Sequence, residues 1–324
     1  MIPGRRTVFL GSGAFAVPTL QALSRARLVE LLLVVSAPPR PVGRGGREQA
    51  TPVASLAAQL GLPVATPARL RAPEAIDAVA EVAPELLVLA DYGQLVPDEM
   101  LGSPEHGALN LHPSLLPRHR GATPIPAAIL AGDPETGVTL FRMDTGLDSG
   151  PIIARRRQAL DGTETTPSLE ADLADIAATL LIDALPGWLD GSIQAVPQAA
   201  EGVTLTRPLR REDGRLDPRR AATELERQVR AYRPWPGTWF DSEAGRIGIW
   251  RAAAVESRAG DGDARPEEAG RLVPDPGGLA VETANGLLRL LEVQPSGGRR
   301  MTGQELLRGR PGLVGSHIHL STLR

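Results

Sequence analysis

Two hydrophobic periods alternate along the first half of the chain. Short, nearly unbroken apolar runs at Thr7–Leu10, Leu31–Val35, Leu86–Leu89 and Ala108–Leu111 read as strands buried on both faces. Between them lie helical segments at Pro18–Leu23, from Thr51-Pro52 to Gly61, at Pro73–Val82 and at Thr123–Leu130. Thr51 suits an N-cap, Pro52 the first helical position, and Gly61 the residue that closes a helix. Val138–Met143 and Ile152–Arg155 can pair through the turn between them, and Pro167–Leu185 forms a long amphipathic helix. Strands alternating with helices predict an α/β unit with a mostly parallel sheet and helices on both faces.

The pattern changes after a polar, Pro- and Gly-containing stretch. One helix, Ala221–Ala231, precedes short strands at Trp239–Phe240, Ile247–Val255, Leu279–Glu282 and Leu287–Val293, separated by Gly-rich turns. Thr302-Gly-Gln-Glu305 fits a capping box for a short helix ending near Leu307. Such spacing predicts a small barrel or sandwich. The expected organisation is a domain over 1–190, a linker over 191–209 and a second domain over 210–324.

Composition narrows the chemistry. With 42% apolar and 23% charged residues, the 324-residue chain has the makeup of a globular protein. The early apolar stretch Val29–Val35 is broken by Glu30 and falls far short of the roughly 20 residues of a membrane helix. Arg5 and Arg6 lead into a strand and a glycine turn rather than a signal peptide, so a cytoplasmic protein with no membrane partner is expected. The absence of cysteine excludes thiol nucleophiles and thiolate metal sites. Five histidines, with no His-x-x-x-His pair on a helix and with His317 and His319 in the tail, lead us to expect no metal. The absence of lysine excludes a P-loop or a Schiff base and leaves phosphate contacts to guanidinium groups. Residues 1–209 carry a net charge of −6 and residues 210–324 one of +3. That excess favours a polyanion partner only weakly, since a solvated mixed surface explains it as well. The candidate patches for such a partner are Arg40–Arg47 and Arg207–Arg220.

One stretch concentrates polar chemistry. Asn110 and His112 interrupt the last apolar run, and residues i and i+2 of a strand project from one face. A carboxamide offers an N–H donor to a developing oxyanion, and an imidazole can relay a proton near neutral pH. Asp148, in the later Met143–Gly150 loop, would orient the ring and favour its charged form if it approaches His112. No covalent nucleophile belongs to this trio, so direct acyl transfer is its natural reaction. An Asn-x-His pair alone is more commonly structural. Pro113 and Pro117 bracket Ser-Leu-Leu, allow a cis Leu116–Pro117 bond, and stiffen a loop that can present backbone groups to a flat heterocycle. Tyr92, after the strand Leu86–Leu89, either stacks on a ligand or packs. The Gly11-Ser-Gly13-Ala-Phe-Ala16 turn is a poor dinucleotide fingerprint, lacking the third glycine and the acidic residue after the next strand.

Asn110-Leu-His112, Ser114-Leu-Leu-Pro117, Arg120-Gly121 and Gly146-Leu-Asp148-Ser-Gly150 resemble the signature of the 10-formyltetrahydrofolate-dependent formyltransferases. Gly11–Leu20 resembles that family's opening turn. Arg40-Pro-Val-Gly-Arg44-Gly resembles the basic loop of the branch that acts on methionyl initiator tRNA. Arg230-Ala-Tyr-Arg-Pro-Trp235-Pro and Gln294-Pro with Gly298-Arg-Arg-Met301 resemble the same branch's C-terminal domain, so the likeness spans nearly the full length. It implies a Rossmann-like catalytic domain, a C-terminal OB-type barrel, 10-formyltetrahydrofolate as co-substrate and initiator Met-tRNA as acceptor, in a monomer with no obligate protein partner. In that reading Asn110 holds the formyl oxygen, His112 assists or relays a proton, and Asp148 sets the state of the ring. Folate meets Tyr92, Gly93, Ser114, Leu115, Leu116 and Pro117, and tRNA meets Arg40, Arg44, Arg210 and Arg211. The chain departs from the family at Ser12-Gly-Ala14, where Thr-Pro-Asp/Glu is usual. Asp91 interrupts an Ala-Tyr-Gly, Pro113 stands for Gly, and the basic loop has no lysines. Another small amine as acceptor, a binding protein without catalysis, and an oxidoreductase are the competing readings.

Overall fold

In the computed structural model, which describes residues 4–42, 46–255 and 268–319, the apolar runs of the first half become strands. The first unit's strands are β1 (Arg5–Gly11), β2 (Val29–Val35), a hairpin of β3 (Arg40–Val42) and β4 (Arg47–Gln49), β5 (Val64–Ala65), β6 (Leu86–Ala90), β7 (Ala108–His112), β8 (Arg120–Gly121), β9 (Glu135–Arg142), β10 (Ile152–Ala159) and β11 (Leu205–Thr206), of which β1, β2, β6 and β7 are those runs. The helices α1 (Val17–Leu23), α2 (Pro52–Gln59), α3 (Pro73–Glu81), α4 (Asp98–Gly102), α5 (Pro124–Ala131) and α6 (Thr166–Leu189) alternate with them. Thr51 caps α2 by accepting the Ala54 N–H at 3.0 Å, and Gly61 follows at φ +69°. α4, between β6 and β7, is a short helix that the sequence pattern did not indicate.

Seven strands form the main sheet in the order β10-β9-β7-β6-β1-β2-β5. Strands β5, β2, β1, β6 and β7 run parallel, while β9 and β10 add an antiparallel edge. Consecutive residues of β6 and most of β1 are buried, so both faces of the sheet are covered. At the edge, β10 carries Arg155, Arg156 and Arg157, charges that discourage further strand pairing. The chain starts at β1, builds outward to β5, and returns to β6 on the other side of β1. That reversal makes a switch point at the carboxyl ends of β1 and β6, where open α/β sheets place ligands. There Ser12 and Gly13 donate their N–H groups to the Asp91 carbonyl at 2.9 and 3.3 Å.

Contacts divide the chain into two compact units. The first holds 1–125, 134–160 and 168–207; the second holds 126–133, 161–167 and 208–324. The polar stretch expected as a linker thus groups with the first unit up to Arg207 and contributes β11, which pairs with β8.

The second unit contains α7 (Ala222–Ala231), β12 (Thr238–Ser242), β13 (Gly245–Val255), β14 (Leu272–Asp275), β15 (Gly278–Glu282), β16 (Leu287–Pro295), β17 (Met301–Thr302) and α8 (Gly303–Gly309). Its antiparallel sheet runs β12-β13-β16-β15-β14, with β17 beside β16. β14, absent from the sequence expectation, carries Pro274, which an edge strand tolerates. Leu225 and Val229, one turn apart on α7, join Phe240, Ile249, Val281 and Leu290 in a single core. The capping box forms as expected: Thr302 Oγ1 accepts from Glu305 N at 3.1 Å, and Glu305 Oε2 accepts from Thr302 N at 2.8 Å. Among the described residues no helix is long and apolar enough to cross a membrane.

Candidate active site at the carboxyl end of β7

Strand β7 runs one residue beyond its apolar run and takes in His112, which pairs with Thr139 of β9. Asn110 sits two residues earlier, opposite Phe141, so both side chains leave the same face. Asn110 is half-buried, and its carboxamide has no partner among the described residues. His112 is only 4% exposed. Its Nε2 lies 2.9 Å from the His119 carbonyl. A carbonyl only accepts, so that nitrogen carries the proton in the neutral ring. The other nitrogen, Nδ1, faces Asp148 Oδ2 at 3.6 Å.

The ring is pulled in opposing directions. Burial pushes the His112 imidazole below its ordinary range, against the Asp148 carboxylate and the His119 carbonyl, which favour the charged form. Burial prevails, so the resting ring is neutral. Asp148 itself is fixed by backbone: Oδ2 accepts the Gly121 N–H at 2.7 Å, and the residue adopts φ +47°. Gly150, two positions on, admits no side chain, because a Cβ there would lie 1.9 Å from the Arg142 carbonyl. The Asp148 loop can therefore close onto β9 only with glycine at 150.

The loop after His112 is held by its own polar groups. The Leu116–Pro117 peptide is cis. The Ser114 hydroxyl donates to the Arg118 carbonyl at 2.6 Å. Thr139, fully buried, donates to the Ser114 carbonyl at 2.7 Å and accepts from Leu116 N–H at 3.1 Å. Ser114 and Leu116 are accordingly buried, while Leu115 and Pro117 are half-buried.

Three positioning residues escaped the sequence reading. Gln198 donates from Nε2 to the carbonyls of Asp148 at 2.7 Å and Gly150 at 2.8 Å. Its Oε1 accepts from Arg120 Nε and Nη2 at 3.1 and 2.7 Å, so one amide ties the acidic loop to the strand after the histidine. Thr204 accepts the His119 N–H at 2.7 Å, holding the residue whose carbonyl fixes His112. Thr139 braces the proline loop, as above. Gln198 and Thr204 carry no local motif, and only the folded chain brings them here.

Other expected residues fall as follows. Tyr92 offers no stacking face: it is buried with Val8, Leu10, Val96 and Met100, and burial pushes its phenol up to about 12. Its contribution is a carbonyl that accepts the Ser12 hydroxyl at 3.2 Å. Gly93 is exposed at φ +82°. Arg40, Arg210 and Arg211 are exposed, the first on β3 and the others in the second unit; Arg44 lies outside the described residues.

The structure also links two departures from the family pattern. A Cβ on Gly13 would lie 1.7 Å from Asp91 Oδ2, so the Asp91 side chain occupies the space a larger residue at 13 would need. Loss of water at that carboxyl, together with the nearby Glu170, pushes Asp91 up to about 6. Asp91 adopts φ +45°, which aims its carboxyl back across the turn.

The chain as a whole is similar to known proteins. Residues 5–185 match the formyl transferase family model, and residues 208–311 match that of the formyl transferase C-terminal domain. A methionyl-tRNA formyltransferase of Myxococcus xanthus is 40% identical over 311 residues, covering 96% of this chain and 97% of its own. One from Thermus thermophilus is 43% identical over 305 residues, covering 94% and 96%. Among solved structures, HypX from Aquifex aeolicus in complex with tetrahydrofolic acid superposes with a TM-score of 0.60 at 16% identity. It covers 94% of this chain and 47% of its own, a likeness of fold. With both family models matched in order and relatives this similar along nearly the whole length, the chain belongs to the formyl transferase family, among the methionyl-tRNA formyltransferases.

Proposed function

We propose that this enzyme transfers the formyl group of 10-formyltetrahydrofolate to the α-amine of methionyl initiator tRNA. One observation carries the reading: a partnerless Asn110 carboxamide shares a strand face with His112, whose Nδ1 faces Asp148 at 3.6 Å. The relatives' names support the acceptor, and the tetrahydrofolate bound by a protein of the same fold supports the donor.

The chemistry follows from the groups in place. As the amine nitrogen bonds to the formyl carbon, the formyl oxygen gains negative charge. The uncommitted NH2 of Asn110 is a donor ready for it. The attacking amine must lose a proton, and N10 of the folate must gain one when its bond to the formyl carbon breaks. His112 Nδ1, the free nitrogen of the neutral ring, takes the first proton and returns it to N10. Asp148 stabilises the imidazolium in between. The formyl group passes directly between substrates, without a covalent enzyme intermediate.

In this reading Gly93, Ser114, Leu115, Leu116 and Pro117 cradle the folate, with Tyr92 supporting them from the core. Arg40, Arg44, Arg210 and Arg211 meet tRNA phosphates. The enzyme works in the cytoplasm as a monomer, its catalytic domain taking in the 191–207 stretch with 1–190 and its OB-type barrel spanning 210–324. The test is formylation of methionyl-tRNA by the purified chain, with uncharged tRNA, free methionine and an amino-sugar nucleotide as controls. Product on methionyl-tRNA alone is expected. Transfer to the amino sugar instead overturns the acceptor, and no transfer to any of them overturns the whole reading.

A further inference from the structure

The second unit holds a cavity of about 280 Å³ whose lining joins indole rings to unpaired guanidinium groups. Trp239 of β12 and Trp250 of β13 both line it, as do Arg211 and Arg233. Among the described residues, no carboxylate does. Arg211 is exposed and Arg233 half-buried, and neither side chain has a partner among the described residues. The neighbouring arginines are already committed. Arg246 sits 3.5 Å from the Trp239 ring centroid and is held by Asp241 through bonds of 2.9 and 3.2 Å. Arg300 sits 3.3 Å from the Trp250 centroid, and the Trp250 Nε1 donates to Gln294 Oε1 at 2.9 Å. Each indole is thus fixed in place, by a stacked guanidinium and, for Trp250, a hydrogen bond. Glycines keep the wall open: a Cβ on Gly248 would meet only the Gln294 carbonyl, at 3.6 Å, and one on Gly297 would meet nothing.

We infer that this cavity binds one unpaired nucleotide of an RNA strand, its base against the indoles and its phosphates on Arg211 and Arg233. Fixed aromatic rings beside uncompensated guanidinium groups are what a single-stranded nucleotide requires, since stacking holds the base and charge holds the backbone. An acidic peptide would satisfy the arginines but add no flat ring beside the guanidinium-stacked indoles. The inference extends the reading of the acceptor as a tRNA by giving the second unit a grip on an unstacked base.

The test is a titration of the full chain's tryptophan fluorescence with a short unstructured RNA, alongside an abasic strand of equal length. Saturable quenching is expected from the RNA, with the abasic strand binding at least about tenfold more weakly. Arg233→Ala and Gly248→Val, the second filling the cavity with a residue suited to a strand, should each weaken RNA binding at least about fivefold with an unchanged circular dichroism spectrum. Equal binding of the abasic strand, or RNA binding by both variants as tight as that of the unsubstituted chain, overturns the inference. An acidic peptide that competes fully with the RNA also overturns it. A chain that binds RNA here but does not formylate methionyl-tRNA overturns the acceptor reading and leaves this one standing. A chain that formylates methionyl-tRNA while both variants bind RNA normally overturns this one alone.

Discussion

At the end of β7 the chain buries His112 and Ser114 and completes each with a backbone carbonyl, of His119 and of Arg118. In the second unit the polar groups of interest are arginines nearer the surface, several completed by carboxylates or indole faces. The difference lies in what each arrangement resists. A buried imidazole held between a carbonyl and a carboxylate is screened little by salt and keeps its geometry. Guanidinium groups at the surface respond to ionic strength and can trade partners with an incoming phosphate. The first suits chemistry on a small group, and the second suits adhesion to a large polyanion.

The sharpest way to break that comparison is at Asn110. Asn110→Ala removes a donor that no group among the described residues uses, so the fold should be retained while turnover falls at least about a hundredfold. Normal turnover would sink its assigned role. Asp148→Asn should cost at least about tenfold in kcat/KM and also move its acid limb. The unsubstituted ring loses activity on protonation at a pH below the ordinary imidazole value of about 6.5. Without the carboxylate that favours the charged ring, that limb should move lower still; a limb moving upward contradicts the assigned electrostatics. The same depression links His112 to stability. The unfolded chain takes up the proton more readily than the folded one, so the contribution is complete above about pH 6.5 and declines as pH falls towards the folded value.

Gln198→Ala separates positioning from chemistry, since it leaves the trio intact but frees the Asp148 and Gly150 carbonyls and Arg120. We expect kcat to fall by about three- to tenfold, as for loss of hydrogen bonds worth roughly 1 kcal/mol. Gln198→Glu, which keeps the acceptor for Arg120 but not the donor, should restore little. Arg40→Ala should raise KM for tRNA by a few fold and flatten its dependence on salt, with KM for folate unchanged. An unaltered salt slope would remove Arg40 from the interface. The smallest effect belongs to Thr302→Ala, far in kind from either site. Loss of the cap of α8 should cost about 1 kcal/mol in denaturant unfolding and leave turnover untouched.

Much of the first unit was legible because its strands are continuous apolar runs and its helices carry caps, as Thr51 and Gly61 do for α2. Those signals are local. The short pair β8 and β11 was not legible, because two-residue strands have no period to read. Gln198 escaped for a related reason: a lone glutamine in a polar stretch looks like solvent-exposed linker until the stretch folds back. Tyr92 was legible only as an alternative, a ring that stacks on a ligand or packs, and the fold turned it inward to the core.

The sequence alone determined the alternation of strand and helix, the second unit's strand-rich character, the charge difference and the Asn110–His112 spacing. Each depends on neighbouring residues or on counts. Only tertiary structure decided that Asp148 meets His112, that Gln198 and Thr204 hold them, and that Asp91 fills the space left by Gly13. These meetings join side chains far apart in the chain. Their geometry follows from strand order, left-handed residues and tight glycines, which no local pattern encodes.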